Sequence, residues 1–266
     1  MKKVLFLAVA SALAASFAFG ALGDIVASFQ APADWPIALA VPPNYHEWLW
    51  VFCLARGYCI YRVSGNTGSL YSSFTSPFAH YTRGLTYSRD GGGGLPGGNY
   101  LWIGNQYYVN RCDYNTGSVY ASFPAYAFQG LAVKATGDGG RTPSCMLVGC
   151  NLGWRIYHYN LVTGSILMSY MTPVQPYDIA WDWRNELIWT GYEGSVVYGL
   201  DTSGSVVTSF TFPAEDPQGF AYTSNYLWVS NVKGRPSHYI WKIHCPKFRN
   251  PDVAPASLGK IRATYR

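Results

Sequence analysis

The sequence predicts an all-β protein that folds as a closed ring of repeats. The first observation is a seven-residue phrase that occurs five times, with Gly first, Ser sixth and an aromatic residue seventh. The starts of these copies lie 45, 49, 47 and 40 residues apart, and a period of this length is typical of solenoids and propellers. The copies are GDIVASF (23–29), GSLYSSF (68–74), GSVYASF (117–123), GSILMSY (164–170) and GSVVTSF (204–210).

The second observation is that each period contains three further hydrophobic runs. They follow the patterns of QGLAV, LWVSN and SVVYGLDT, and Gly, Asn, Pro and Ser separate them. Four short runs rich in Val, Ile, Tyr, Phe and Trp predict a four-stranded antiparallel sheet. Each repeat is therefore interpreted as a propeller blade, with the QGLAV-type run as the inner strand and the GSVYASF-type run as the outer strand.

The third observation is that the order of the strands is offset by one strand from the order of the blades. The first outer strand stands alone at the N-terminus, and the last blade, which ends near Ile243, lacks an outer strand. Pairing the N-terminal strand with the last blade would close the ring and remove two exposed sheet edges. The predicted fold is one five-bladed β-propeller over residues 24–245, closed by its N-terminal strand.

Three recurring segments also indicate a family resemblance. The inner "GLAV", the second "LWVSN" and the third strand ending in "TGS" resemble the repeats of YVTN- and NHL-type β-propellers. The resemblance extends over residues 24–245. It implies the fold and leaves the activity open, because such propellers include enzymes, binding proteins and scaffolds.

The N-terminus predicts export. Lys2 and Lys3 precede a short apolar run, Val4 to Phe19, and small residues follow at Gly20 and Gly23. This is the pattern of a secretory signal peptide rather than of a lasting membrane span. Residues 1–23 are therefore interpreted as a bacterial-type signal, and the mature chain is expected to be extracellular or periplasmic, without a transmembrane segment. Residues 246–266 form a basic, proline-containing tail.

Six cysteines in an exported chain suggest disulfides, but spacing alone does not give the pairing. Cys53 and Cys59 flank one predicted hairpin turn, so a bridge between them is expected. The pairing of the other four, Cys112, Cys145, Cys150 and Cys245, stays open, and buried thiols are the alternative. The spacing does not indicate a metal site, and no cofactor is expected.

Charge argues against a nucleic-acid partner. The net charge of the chain is +5. Without the leader and the tail, the propeller carries 12 basic and 13 acidic residues. Because nucleic-acid binding needs a basic face, no nucleic-acid partner is expected.

Candidate binding residues lie where the inner strands begin, since ring closure brings these positions together around one axis. They combine aromatic rings with amides and one charge pair, which suits stacking and orienting a polar ligand. The candidates are Trp35, Tyr81, Arg83, Tyr126, Gln129, Tyr177, Asp178 and Gln218. No catalytic residue is assigned.

Three functions are compatible with this pattern. The favoured one is an exported, non-enzymatic propeller that binds a glycan, a peptide or extracellular protein, or a cell-envelope partner. The second is a hydrolase or lyase that uses Asp178 with a loop carboxylate, and the third is a purely structural surface protein. Converging carboxylates would favour the enzyme. An open aromatic cleft would favour the binding protein, and a sealed one would favour the structural protein.

Overall fold

The computed structural model describes residues 21–42, 47–78, 81–89, 98–125, 129–136, 142–150, 153–191, 194–234 and 236–247. These residues form five antiparallel four-stranded sheets and one short helix, α1 (Ala55–Tyr58). The predicted all-β, five-bladed propeller is therefore confirmed.

The strands follow one another from the inside to the outside of each blade. Blade 1 contains β2 (Pro36–Ala40), β3 (Trp48–Cys53), β4 (Cys59–Ser64) and β5 (Leu70–Thr75). Blade 2 contains β6 (Gly84–Arg89), β7 (Asn99–Gly104), β8 (Tyr108–Asp113) and β9 (Val119–Pro124). Blade 3 contains β10 (Gly130–Thr136), β11 (Thr142–Cys150), β12 (Arg155–Tyr159) and β13 (Ile166–Met171).

Blade 4 contains β14 (Ile179–Asp182), β15 (Leu187–Gly191), β16 (Val196–Leu200) and β17 (Val206–Thr211). Blade 5 contains β18 (Pro217–Thr223), β19 (Tyr226–Asn231), β20 (Tyr239–His244) and, as its outer strand, β1 (Ile25–Gln30). β1 is antiparallel to β20, with Ile25 opposite Ile243 and Gln30 opposite Tyr239. The predicted closure by the N-terminal strand is confirmed.

A separate hydrophobic core fills each interface between neighbouring blades. Phe29, Leu39 and Trp228, for example, belong to the core between blades 5 and 1, and four equivalent cores fill the other interfaces. The faces of every sheet are therefore buried against the next blade, whereas most outer-strand residues stay exposed. This explains why the inner, second and third strands are the more apolar ones in the sequence.

The recurring seven-residue phrase links each blade to the one before it. Its glycines all have left-handed φ angles, between 66° and 92°. A Cβ atom on each of them would lie 2.4–3.2 Å from the preceding blade, at or beside the aromatic residue of the preceding phrase. Only glycine satisfies both conditions. The pairs are Gly23 with Phe210, Gly68 with Phe29, Gly117 with Phe74, Gly164 with Phe123, and Gly204 with Tyr170.

The described chain begins inside the packed ring. Leu22 packs against the core between blades 4 and 5, and the Gly23 N–H donates to the His244 carbonyl over 3.1 Å. Residues 1–20, the bulk of the predicted signal, lie outside the described residues, as do residues 248–266 of the predicted tail. No helix among the described residues has the length and apolar character needed to cross a membrane.

Cys53 and Cys59 flank α1, as the hairpin prediction required, but both are thiols and their sulfur atoms are not bonded to each other. Burial raises the pKa of the Cys53 thiol to about 12. Cys112 lies in the core between blades 1 and 2, and Cys145 in the core between blades 3 and 4. The Cys53–Cys59 bridge stays a prediction, and peptide mapping under non-reducing conditions tests it.

Candidate functional site

The five inner strands begin on the same face of the ring, here called the channel-mouth face. Because neighbouring strands in each blade are antiparallel, the second strand of each blade ends on this face. Residues from two kinds of connection therefore meet there: those that lead into an inner strand and those that follow a second strand. This topology gathers side chains that are far apart in the sequence.

An open cleft of about 300 Å³ lies on the channel-mouth face, and we call it the mouth cleft. Four of the eight predicted binding residues line it, each contributed by a different blade: Trp35, Arg83, Tyr177 and Gln218. The remaining wall consists of Ile37, Leu54, Asp216, Val232 and Lys233. Ring closure thus brings together Arg83, Tyr177 and Gln218, which share one repeat position, and Trp35, which lies two residues before that position.

Trp35 is the exposed aromatic group of this cleft. Its side chain is 52% exposed, although its backbone is held firmly, since its carbonyl accepts the Leu54 N–H over 3.1 Å. Its φ angle is 62°, a left-handed conformation that is strained for a bulky residue. Asp216, on the same cleft, is also left-handed, with φ 58°. Strained non-glycine residues of this kind cluster at functional sites.

The charged side chains of the mouth cleft differ in whether they have an ion-pair partner. Asp216 accepts a hydrogen bond from Gln218 Nε2 at 2.9 Å and pairs with Lys233 Nζ at 3.5 Å. Arg83 is half-buried, and within the described part of the chain no carboxylate lies at ion-pair distance from it. Lys233 was not among the predicted residues, because it follows a second strand rather than preceding an inner one.

The other predicted residues lie elsewhere. Tyr81 is 49% exposed but does not line the mouth cleft. Gln129 occupies the repeat position of Gln218, yet it is also absent from the cleft wall, and its backbone N–H donates to the Gly149 carbonyl over 2.7 Å. Tyr126 lies outside the described residues.

Asp178 has a different position from the one expected of a ligand-binding residue. It is completely buried. Its Oδ1 accepts the Leu131 N–H over 3.3 Å, and its Oδ2 accepts the Phe220 N–H over 2.8 Å. The backbone N–H groups of Leu39 and Ile179 bond to the same carboxyl group. One side chain thus joins the inner strands of blades 1, 3, 4 and 5 on the propeller axis.

The space for this carboxyl group comes from small residues in the other blades. The position of Asp178 is occupied by Gly84, Gly130 and Gly219 in blades 2, 3 and 5. A Cβ atom on Gly130 would lie 2.5 Å from the Cα atom of Asp178. At this level the other blades carry only glycine or, in blade 1, the methyl group of Ala38, so the single carboxyl group occupies the space on the axis. Burial raises the pKa of Asp178 well above its usual value, and the four N–H donors lower it.

Below this level, the central channel is narrow. Its wall is formed by residues of all five inner strands, including Leu39, Leu85, Leu131, Ile179 and Phe220, and its volume is about 50 Å³. That is room for about one or two water molecules. Along each strand the cleft residues come first, then the level of Asp178, then the channel. The mouth cleft is accordingly a closed funnel rather than the opening of a pore.

This geometry corrects the placement of Asp178 as a residue for binding or hydrolysis. Paired carboxylates must both reach the substrate, whereas Asp178 has no exposed surface and Asp216 is engaged by Gln218 and Lys233. Among the residues with described positions, no group of three or more His, Cys, Asp and Glu side chains could hold a metal ion.

Comparisons with known proteins support the fold alone. No family model matches the chain, and no curated protein does. Among solved structures, the chain is similar to glutaminyl cyclase of Myxococcus xanthus, with a TM-score of 0.57 and 11% identity over 84% of this chain and 95% of that one. It is also similar to the β-propeller domain of Cps50 (Swd1) from Myceliophteria thermophila, with a TM-score of 0.51 and 12% identity over 84% and 100%. The predicted resemblance to propeller repeat proteins is thus confirmed for the fold.

Proposed function

We propose that this protein is an exported, non-enzymatic β-propeller that binds a glycan or a peptide in the mouth cleft. The observation that carries the proposal is the convergence of Trp35, Arg83, Tyr177 and Gln218, from four blades, on one open cleft. An exposed indole and a half-buried guanidinium beside an amide combine an apolar surface with groups that fix orientation, as small-ligand sites do.

Two features favour binding over the alternatives. The aromatic residue Trp35 stands open to solvent instead of being sealed in a core, which argues against a purely structural role for this face. Asp178 is enclosed by four backbone donors, so it cannot act on a substrate in the cleft. The Myxococcus xanthus neighbour is a glutaminyl cyclase, but at 11% identity its activity is not transferred to this chain.

The backbone strain at Trp35 and Asp216 also supports a binding site. A left-handed non-glycine residue costs on the order of 1–3 kcal/mol, and two of them stand on this one cleft. A strained conformation persists only where the surrounding structure fixes it, so the backbone at Trp35 and Asp216 is set before a ligand arrives. Preorganisation of this kind reduces the entropy that is lost on binding.

A glycan and peptide array with the full chain tests this function. Replacing Trp35 or Gln218 by Ala should weaken the binding of the ligands found by about 1–3 kcal/mol. Gln129→Ala is the matched control, because Gln129 has the same repeat position but does not line the cleft. Equal losses for Gln218→Ala and Gln129→Ala, or no effect of Trp35→Ala, would show that the ligand binds elsewhere.

A further inference from the structure

The charges of the mouth cleft indicate which kind of ligand it accepts. Two cations, Arg83 and Lys233, and one carboxylate, Asp216, line it. Asp216, whose side chain is only 8% exposed, accepts a hydrogen bond from Gln218 and forms an ion pair with Lys233, so these two charges balance each other. The lining therefore keeps a net charge of +1, which Arg83 carries. An anionic ligand is favoured over a cationic one.

Arg83 indicates which anionic group the cleft would bind. Arg83 is a half-buried residue, and its guanidinium lacks an ion-pair partner within the described residues. A planar guanidinium binds a carboxylate through two parallel hydrogen bonds, and the pair is stronger where water is partly excluded. Arg83 comes from the connection between blades 1 and 2, whereas Lys233 follows β19 in blade 5, so the two cations belong to different parts of the cleft wall.

Trp35 and the size of the cleft restrict the ligand further. The exposed indole offers a flat, electron-rich face, which suits the apolar C–H face of a sugar ring. A volume of about 300 Å³ stands at the lower end of small-ligand sites. This is room for a terminal residue or two rather than for a long polymer segment.

We propose, building on the binding function above, that the mouth cleft recognises a carboxylated sugar, namely a uronic-acid residue at the end of a glycan. The carboxylate binds the guanidinium of Arg83, and the sugar ring stacks on Trp35. Gln218, whose Nε2 is engaged by Asp216, presents its amide oxygen to a sugar hydroxyl group.

The test compares acidic glycans with their neutral counterparts on the full chain. Short oligogalacturonate, alginate and hyaluronan oligosaccharides are titrated calorimetrically, each beside the same oligosaccharide after chemical reduction of its carboxyl groups. At least one acidic oligosaccharide should bind, and its carboxyl-reduced form should bind at least tenfold more weakly. Arg83→Gln should lower the affinity for the acidic form at least tenfold and leave the affinity for the reduced form within about twofold.

Arg89→Gln is the matched control, because Arg89 ends the strand that Arg83 precedes and does not line the cleft. It should leave both affinities unchanged. Arg83→Lys keeps the charge without the planar fork, so an intermediate loss is expected, and thermal melts verify that each variant is folded.

Each other outcome has a definite consequence. If neutral sugars bind as tightly as acidic ones and Arg83→Gln has no effect, the uronic-acid assignment is overturned and the binding function stands. If peptides ending in Glu bind through Arg83 while no oligosaccharide does, the sugar assignment is overturned. If neither sugars nor peptides bind, the proposed function fails as well.

Discussion

Asp178 provides a sharp test of how the ring is held together at its axis. Its carboxyl group accepts four backbone N–H groups from four blades. A buried donor left without its partner costs about 1–3 kcal/mol. At the lower limit for each of the four, Asp178→Ala should reduce the free energy of unfolding by about 4 kcal/mol.

Asp178→Asn keeps the shape of the side chain and removes one of its two acceptor oxygens, so it separates the loss of hydrogen bonds from the loss of packing. Asn keeps one acceptor oxygen and turns an NH₂ group toward the remaining backbone donors, so about half of the loss, about 2 kcal/mol, is expected. Asp34→Asn is the control, because the Asp34 side chain is 64% exposed. Urea unfolding followed by tryptophan fluorescence gives the three values.

The expected order of stability is wild type and Asp34→Asn together, then Asp178→Asn, then Asp178→Ala. The reasoning is falsified if the free energy of unfolding of Asp178→Ala lies within about 0.5 kcal/mol of the wild-type value. In that case, water or a shift of the inner strands would have replaced the carboxyl group, and the axis would not depend on it.

Three further predictions concern the blades. Burial, with the charge of Lys134 as a second cause, lowers the pKa of His158 from 6.5 to about 4, so protonation opposes folding: stability should fall by up to about 3 kcal/mol between pH 6.5 and 4, and a His158→Gln variant that shows the same fall would contradict this. Gly164→Ala should lower the melting temperature more than Gly153→Ala, because both glycines have left-handed φ angles but only Gly164 packs against another blade. Equal shifts would mean that backbone strain alone accounts for the loss and that the contact between blades contributes nothing. Deleting residues 24–29 should destabilise the whole ring, since blade 5 loses its outer strand, and an unchanged melting temperature would refute closure by that strand.

The ring could be predicted from the sequence because the repeats align with one another, and the alignment shows which residues occupy equivalent positions in the strands. Gly first and an aromatic residue seventh could be read in each phrase, but not that Gly164 contacts Phe123 of the preceding copy. The partners lie in different repeats, and only the arrangement of blades brings them together.

The candidate site was half predictable for a related reason. Arg83, Tyr177 and Gln218 share one repeat position and Trp35 lies two residues before it, so the register places all four on the channel-mouth face. Depth was not readable in the same way, so Asp178 was placed beside Tyr177 in the cleft although it is sealed beneath it. The signal was there at its repeat position, where the other blades carry three glycines and Ala38 and so leave room for one larger side chain on the axis.

The positions of the first and last described residues have a consequence for how the propeller would be displayed. β19 ends beside the mouth cleft, so β20 runs away from it, and β1 begins next to the end of β20. Ala21 and Lys247, the first and last described residues, therefore lie on the far side of the ring from the cleft. An attachment at either of these two residues, to a surface or to another domain, would hold the propeller with its cleft directed away from the attachment.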